Sequence, residues 1–269
     1  MALMILIVLG PYQLLNAFIL SRMMPDVGAF GTTTGTTDPM MAPTDMFGPG
    51  LAVASILVTL VGMVVYTLVG GALVWMVRRD DRGGEATWGQ SLGGALRRAW
   101  PLLGGGALVG LGLIAGAIVL VLLLVLVGAL ALPLAILLGI PLVLIGIPAV
   151  TAVATMVVPV AIMEPQAGAV DVATRAVTLT LRRFWRMTGV MALVLLVLMV
   201  VTFAVSLVLG VLALLAGPVQ WVVDGLGQAG ISIVTMPVVI FSVLLLYLDA
   251  RVRLEGWDLE VRAQRPGPW

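Results

Sequence analysis

Apolar positions in this chain come as long unbroken runs, not as the alternation of a half-buried strand or the single stripe of a soluble helix. An α-helix rises 1.5 Å per residue, so crossing a hydrocarbon layer of about 30 Å takes about 20 mostly apolar residues. Uncharged runs of that length predict six spans, at about 2–21, 51–77, 102–127, 134–163, 189–216 and 231–248. The third and fourth come from one uncharged stretch, Pro101 to Met163, too long for a single crossing; a tight turn near Gly128 to Pro133 divides it. Pro141, Pro148 and Pro159 then fall inside the fourth span, where neighbouring helices can satisfy the backbone groups a proline frees.

Two stretches break the apolar pattern with helical periodicity. Residues of about 88–100 and 168–187 read as amphipathic helices lying on the membrane surface. In the second, Asp171, Arg175, Thr178, Arg182 and Arg186 form one polar stripe, and Val170, Ala173, Val177, Leu181 and Phe184 form the opposite face. The two stretches are also alike. A shift of 85 residues aligns Leu96-Arg97-Arg98-Ala99-Trp100 with Leu181-Arg182-Arg183-Phe184-Trp185, then Gly104 with Gly189 and Ala107-Leu108-Val109 with Ala192-Leu193-Val194. The expected unit is a surface helix, a span, an outer turn and a returning span. Spans one and two read as the outer part of an earlier copy without its surface helix, which leaves open a natural start further upstream. A cleaved signal peptide is the other reading of span one, but no basic residue precedes Arg22. The fold class is therefore an all-α, polytopic membrane bundle of six transmembrane helices, internally repeated, with amphipathic cytoplasmic surface helices. A single membrane domain covers 1–269, with an outer loop at 23–50 and a cytoplasmic tail at 249–269.

Composition agrees with a lipid solvent: 61% of the residues are hydrophobic and 10% charged, against roughly 45–50% and about 25% in soluble domains. Every one of the 14 basic residues is Arg. Arg78, Arg79, Arg82, Arg97 and Arg98 lie between spans two and three, Arg175, Arg182, Arg183 and Arg186 between four and five, and Arg251, Arg253, Arg262 and Arg265 after six. The alternate loops hold only Arg22. Because cytoplasmic loops are enriched in basic residues, this alternation places both termini in the cytoplasm, and the protein is expected as a multi-pass component of a bacterial plasma membrane. Counted by side, 13 Arg against 9 acids give the inner face +4, and Arg22 against Asp26, Asp38, Asp45 and Asp224 gives the outer face −3. The net charge of +1 thus hides a polarised molecule, with no footprint for nucleic acid.

The chemistry available is narrow. With no Cys and no His, thiol nucleophiles, imidazole bases and zinc sites of the usual ligands are excluded. Met23, Met24, Met40, Met41 and Met46 flank or occupy the Thr-, Gly- and Pro-rich outer loop. Such methionines offer thioethers to Cu(I), but interfacial filler is the better reading because no His or Cys supports them. No catalytic residue, metal or cofactor is expected. The spans carry no ionisable side chain, only groups such as Gln13, Asn16, Thr151, Thr155 and Ser242, which a helix carbonyl or a neighbouring helix can satisfy. Gly106 with Gly110, and Gly112 with Gly116, have the small-residue spacing that lets helices pack closely.

The densest polar signal lies at the cytoplasmic ends of spans four and six. Glu164 follows a helix C-terminus, where the macrodipole disfavours an anion, so it should have a cationic partner, with Arg182, Arg183 or Arg253 as candidates. After span six, Asp249 with Arg253, Arg251 with Glu255, and Asp258 with Arg262 are each four residues apart, the spacing of ion pairs on a continuing helix that Gly256 could end. One reading makes these charges a cap that sets the depth of span six. The other makes Glu164, Asp171, Arg175, Arg182, Arg183, Asp249, Arg251, Arg253, Glu255 and Asp258 a cytoplasmic docking motif. Arg97, Arg98, Trp100, Trp185 and Arg186 are candidate contacts to lipid headgroups, or else simple anchors of the topology.

The run Val158-Pro159-Val160 to Met163-Glu164, then Gly168-Ala169-Val170-Asp171 to Arg175 and Leu181-Arg182-Arg183-Phe184-Trp185-Arg186, resembles the central signature of a bacterial multispan family. That family is named for the membrane domain attached to some glycerophosphoryl diester phosphodiesterases. The ending from Leu245-Leu246-Tyr247-Leu248-Asp249 through Arg251, Arg253, Glu255-Gly256 to Asp258-Leu259-Glu260 is similar to its close. Departures are the missing N-terminal surface helix and Thr178 in place of a Ser. The resemblance implies a multispan inner-membrane protein, not a hydrolase, because the family's phosphodiesterase is a separate soluble domain and metal-dependent hydrolysis needs His and clustered carboxylates. The expected function is therefore a non-catalytic scaffold, partner subunit or lipid-associated envelope component, bound to anionic lipid or to a membrane or cytoplasmic protein. The alternative is a transporter or flippase for a neutral or amphiphilic substrate, with a cavity lined by groups such as Gln13, Asn16 or Thr155.

Overall fold

The computed structural model describes residues 2–23, 49–80 and 87–255. Among these the chain is 96% helix with no strand. In order it forms α1 (Ala2–Met23), α2 (Pro49–Asp80), α3 (Trp88–Arg97), α4 (Ala99–Leu130), α5 (Leu132–Met163), α6 (Ala169–Arg182), α7 (Phe184–Ala216), a 3-10 turn (Gly217–Val219) and α8 (Gln220–Glu255). Five stretches are long and apolar enough to cross a membrane: Ile56–Arg79, Ala99–Ala129, Ile136–Met163, Phe184–Ala213 and Gln220–Leu254. A shorter apolar stretch, Ile5–Ser21, lies within α1. The most apolar stretches of α4 and α7 are each only 6% buried by protein, against 39% for that of α8. Leu111, Leu122, Leu137 and Leu144 stand with more than 60% of their surface uncovered. Water does not tolerate so much contiguous apolar surface, and lipid does, so the chain is a multi-pass helical membrane protein.

Several expected boundaries move. The turn between α4 and α5 is one residue, Ala131, in extended conformation at φ −158 and ψ 95, with Pro133 already in the first turn of α5. That turn carries no donor a proline would remove from the helix. α7 closes at Gly217, whose φ of +55 lies in the left-handed region where only glycine is unstrained. α8 then starts at Gln220, well before the predicted 231. The surface helices are shorter than 88–100 and 168–187. The backbone leaves helical geometry at Arg98 (φ −108, ψ 12) and at Arg183 (φ −130, ψ 36), so Trp100, Phe184, Trp185 and Arg186 belong to the first turns of α4 and α7. At the second break α6 is held by packing against both α4 and α5, so its extent is set by those neighbours and not by the apolar pattern alone.

The chain divides into two compact units. The first contains α1, the start of α2, the end of α7 and the start of α8. Here Gln13 on α1, 6% exposed, donates to the Tyr66 hydroxyl, which stands 3.3 Å from Ser232 Oγ. The Tyr12 and Tyr66 rings meet edge to face at 6.1 Å, and Phe18 meets Trp221 likewise at 5.3 Å. Gly62 and Gly225 leave the room that the Tyr12 ring and Leu14 occupy. Without a hydrophobic driving force between helices in lipid, such close packing and shared hydrogen bonds are what hold α1 in place.

The second unit contains the end of α2, all of α3 to α6, the start of α7 and the end of α8. Leu73, Leu102, Met156, Ile162, Met187, Met191 and Tyr247 are fully buried in it. Close approach occurs at glycines other than the expected ones: a Cβ on Gly104 would stand 2.9 Å from that of Ala169, and one on Gly105 would stand 2.8 Å from Val172. Gly106, Gly112 and Gly116 face open space. α6 therefore seats against the start of α4, and Gly106, Gly112 and Gly116 are not packing sites among the described residues.

Candidate functional site

α6 has three faces where the periodicity suggested two. Asp171, Arg175, Thr178 and Arg182 share the polar face as expected. The buried face, however, is Val172, Ala173, Ala176, Leu179 and Thr180, about a third of a turn away from the predicted centre. Val170 and Leu181, from the apolar face expected opposite the polar stripe, are 63% and 60% uncovered by protein. A helix at the headgroup boundary has two apolar neighbours, protein and lipid, and a sequence pattern cannot tell which apolar residues meet which. The start of α6 is capped by its own acid: the Gly168 N–H donates to Asp171 Oδ2 at 3.1 Å. That carboxylate also favours the positive end of the helix dipole.

Glu164 follows the last residue of α5, as read from the sequence, but its partners differ from those expected. Arg175 Nε donates to Glu164 Oε1 at 2.5 Å, and the Tyr247 hydroxyl donates to the same oxygen at 2.9 Å. Arg182, Arg183 and Arg253, the candidates named from sequence, are not among the partners found. Arg175 wins because it lies on α6, one short loop beyond Glu164, where the chain turns back over the end of α5. The Glu164 side chain is 18% exposed and Tyr247 is fully buried. A carboxylate so placed holds three helices together: α5 through its own backbone, α6 through Arg175 and α8 through Tyr247. Arg78 on α2 adds a fourth, donating from Nη1 to the Ile162 carbonyl at 2.6 Å. That carbonyl is among the last four of α5, which have no partner within the helix.

Beside Glu164 lies an open cleft of about 910 Å³, lined among others by Gln166, Asp171, Thr174, Arg175, Thr178 and Arg251. The Thr174 and Thr178 hydroxyls are turned back on carbonyls of their own helix, Val170 and Thr174, so the charged groups define the polarity of its wall. Arg251 stands over the Tyr247 ring, 6.0 Å from its centroid. No group of His, Cys, Asp and Glu that could hold a metal ion occurs among the described residues.

Asp249 forms a second node. Arg253 Nε lies 2.7 Å from Oδ1, the i,i+4 pair expected on a continuing helix. Arg186 and Arg183 of the segment leading into α7 approach Oδ2 at 3.0 and 3.7 Å. The sequence placed these arginines with Glu164 or with headgroups; the fold brings them to Asp249. Arg97 is exposed and Arg98 half-buried at the break between α3 and α4, and Arg182 is exposed on α6. Trp100 and Trp185 are 81% and 74% exposed. The expected pairing of Arg251 with Glu255, and that of Asp258 with Arg262, fall outside the described side chains.

Sequence reasoning missed Tyr247 and Arg78. Tyr247 is a polar aromatic set in a leucine run two residues before Asp249, which is a signal for a buried hydroxyl needing a partner. Arg78 bonds a backbone carbonyl 84 positions away, and nothing in its local sequence marks that. Polar groups inside the spans behave as expected: Thr151, Thr155 and Ser242 bond carbonyls one turn earlier in their own helices. Compared with known proteins, the chain matches no family model, no curated protein and no solved structure, so the family resemblance rests on the residues quoted for it.

Proposed function

We propose that this chain is a non-catalytic, multi-pass plasma-membrane protein of the bacterial type, acting as a scaffold or partner subunit through an arginine-rich surface that also meets anionic lipid. The observation that carries this reading is the convergence of Glu164 and Asp249. Each carboxylate is reached by side chains from another helix: Glu164 ties α5 to α6 and α8, and Asp249 ties α8 to the start of α7. The same convergence supports the family resemblance, because Glu164 and Arg175 from the central signature meet Tyr247 from the closing one. What favours a structural over a catalytic use of the cleft is that its Glu164 carboxylate is already engaged by Arg175 and Tyr247.

The finer architecture belongs to the same proposal. α1, tied to α2 through Gln13 and Tyr66, is the sixth span, and both termini face the cytoplasm by the arginine distribution. The two Leu-Arg-Arg-x-Trp segments are copies of one repeat, a reading supported by burial at matching positions: Ser91 with Ala176, Ala95 with Thr180, and Leu102 with Met187.

Capture from membranes in mild detergent tests the reading. Full-length chain is expected to return one consistent protein partner or bound anionic lipid, with no phosphodiesterase activity; recovery of neither ends the proposal. Orientation is checked by single cysteines, since none is native. A cysteine replacing Arg97 or Arg182 should resist a membrane-impermeant thiol reagent added outside intact cells, and labelling there would overturn the topology.

A further inference from the structure

The node at Asp249 carries more positive charge than its acid can balance. Three guanidiniums, of Arg183, Arg186 and Arg253, share one carboxylate at 3.7, 3.0 and 2.7 Å, leaving a surplus of two charges among the described residues. Two of the three side chains remain well uncovered, Arg186 at 45% and Arg253 at 55%. The placement of Arg186 is also unfavourable without an anion: it sits in the first turn of α7, where the helix dipole is positive and cations are repelled, whereas Arg183 stands at the break between α6 and α7. Guanidiniums in such a fork match phosphate oxygens two at a time. The surroundings decide which phosphate. Trp185, next to Arg186, is 74% exposed, and Leu181 is 60% exposed. Tryptophan in that position belongs at headgroup depth. Free phosphate would satisfy the arginines and leave both apolar side chains bare.

We propose that Arg183, Arg186 and Arg253 hold the phosphate of an anionic phospholipid beside Asp249, with Trp185 and Leu181 against its glycerol and upper acyl region. This deepens the membrane-surface reading above and rests on it. Native mass spectrometry of the full chain in mild detergent, titrated with phosphatidylglycerol, phosphatidylcholine or sodium phosphate, tests it. The wild-type chain should prefer phosphatidylglycerol over phosphatidylcholine. Arg186→Gln and Arg253→Gln should each weaken phosphatidylglycerol binding about fivefold, the effect of roughly one basic residue at an anionic surface, and Arg186→Lys should restore most of it. Each is a single change at a partly exposed side chain, so the variants are expected to fold. Equal binding of phosphatidylglycerol by wild type and both Gln variants overturns the proposal. So does displacement by sodium phosphate at concentrations matching the lipid. A wild-type chain without preference for phosphatidylglycerol also overturns it, while leaving the protein-partner reading to its own capture experiment.

Discussion

The two Leu-Arg-Arg-x-Trp segments begin alike and end differently. Each closes a short helix, breaks at its second arginine and presents an exposed tryptophan in the first turn of a long apolar helix. Leu96 and Leu181 are 52% and 60% exposed at matching positions. Beyond that they diverge. Pro101 stands in the first segment where the second has Arg186; a proline is tolerated there because the first-turn N–H is unpaired in any case. Gln90 matches Arg175, so only the second short helix is pinned to Glu164. The glycines differ most. Gly104 receives Ala169, and its counterpart Gly189 faces open space. The lesson is that a shared local motif sets the helix break and the exposed aromatic, whereas the neighbours each helix meets set what the segment holds.

Packing provides the sharpest way to break this comparison. Gly105→Val would drive a side chain into Val172 and should cost about 1–3 kcal/mol by overpacking. Gly189→Ala meets nothing and should gain up to about 1 kcal/mol from helix propensity. Thermal unfolding in detergent reads both, and equal losses in the two variants would mean the segments are packed alike.

A smaller effect is expected from making the second segment like the first. Arg175→Gln removes the cation from Glu164 and leaves Tyr247 as its remaining partner of the two found. Since the Arg175 side chain is 36% exposed, screening holds the loss to about 1 kcal/mol. Gln90→Ala, on an exposed position of α3, should leave the melting curve unchanged. A Gln90→Ala loss as large as that of Arg175→Gln would show that α3 is pinned as firmly as α6.

The smallest difference is electrostatic. Arg183→Gln removes a 3.7 Å approach to Asp249 and should cost at most about 0.5 kcal/mol, an effect that fades in high salt. Arg98→Gln, at the matching break and with no acidic partner among the described residues, should show neither the loss nor the salt dependence. Melting curves at two ionic strengths separate them.

Much of the site was legible in part. The Asp249–Arg253 pair follows from helical spacing alone, because both groups lie on one rigid helix. The need of Glu164 for a cation follows from its place after a helix C-terminus, but not the choice of Arg175. That choice depends on how α6 turns back over α5, and four arginines within reach along the chain look equivalent until that turn is made. The polar stripe of α6 was legible too, while its buried face was not, since Val170 and Val172 are equally apolar and only one meets protein.

Composition and run length by themselves determined that this is a helical membrane protein, because about 20 uncharged residues in a helix match the thickness of a hydrocarbon layer whatever else the chain does. The periodicity and the repeated Leu-Arg-Arg-x-Trp segments placed the surface helices to within a few residues. Tertiary structure alone decided which glycines of α4 admit α6, which arginine holds Glu164, and that Arg183 and Arg186 converge with Arg253 on Asp249. The physical reason is that lipid covers apolar side chains as readily as protein does, so hydropathy fixes depth and not neighbours. Partners across helices are selected by shape and by the few buried charges, and those meet only once the chain has folded.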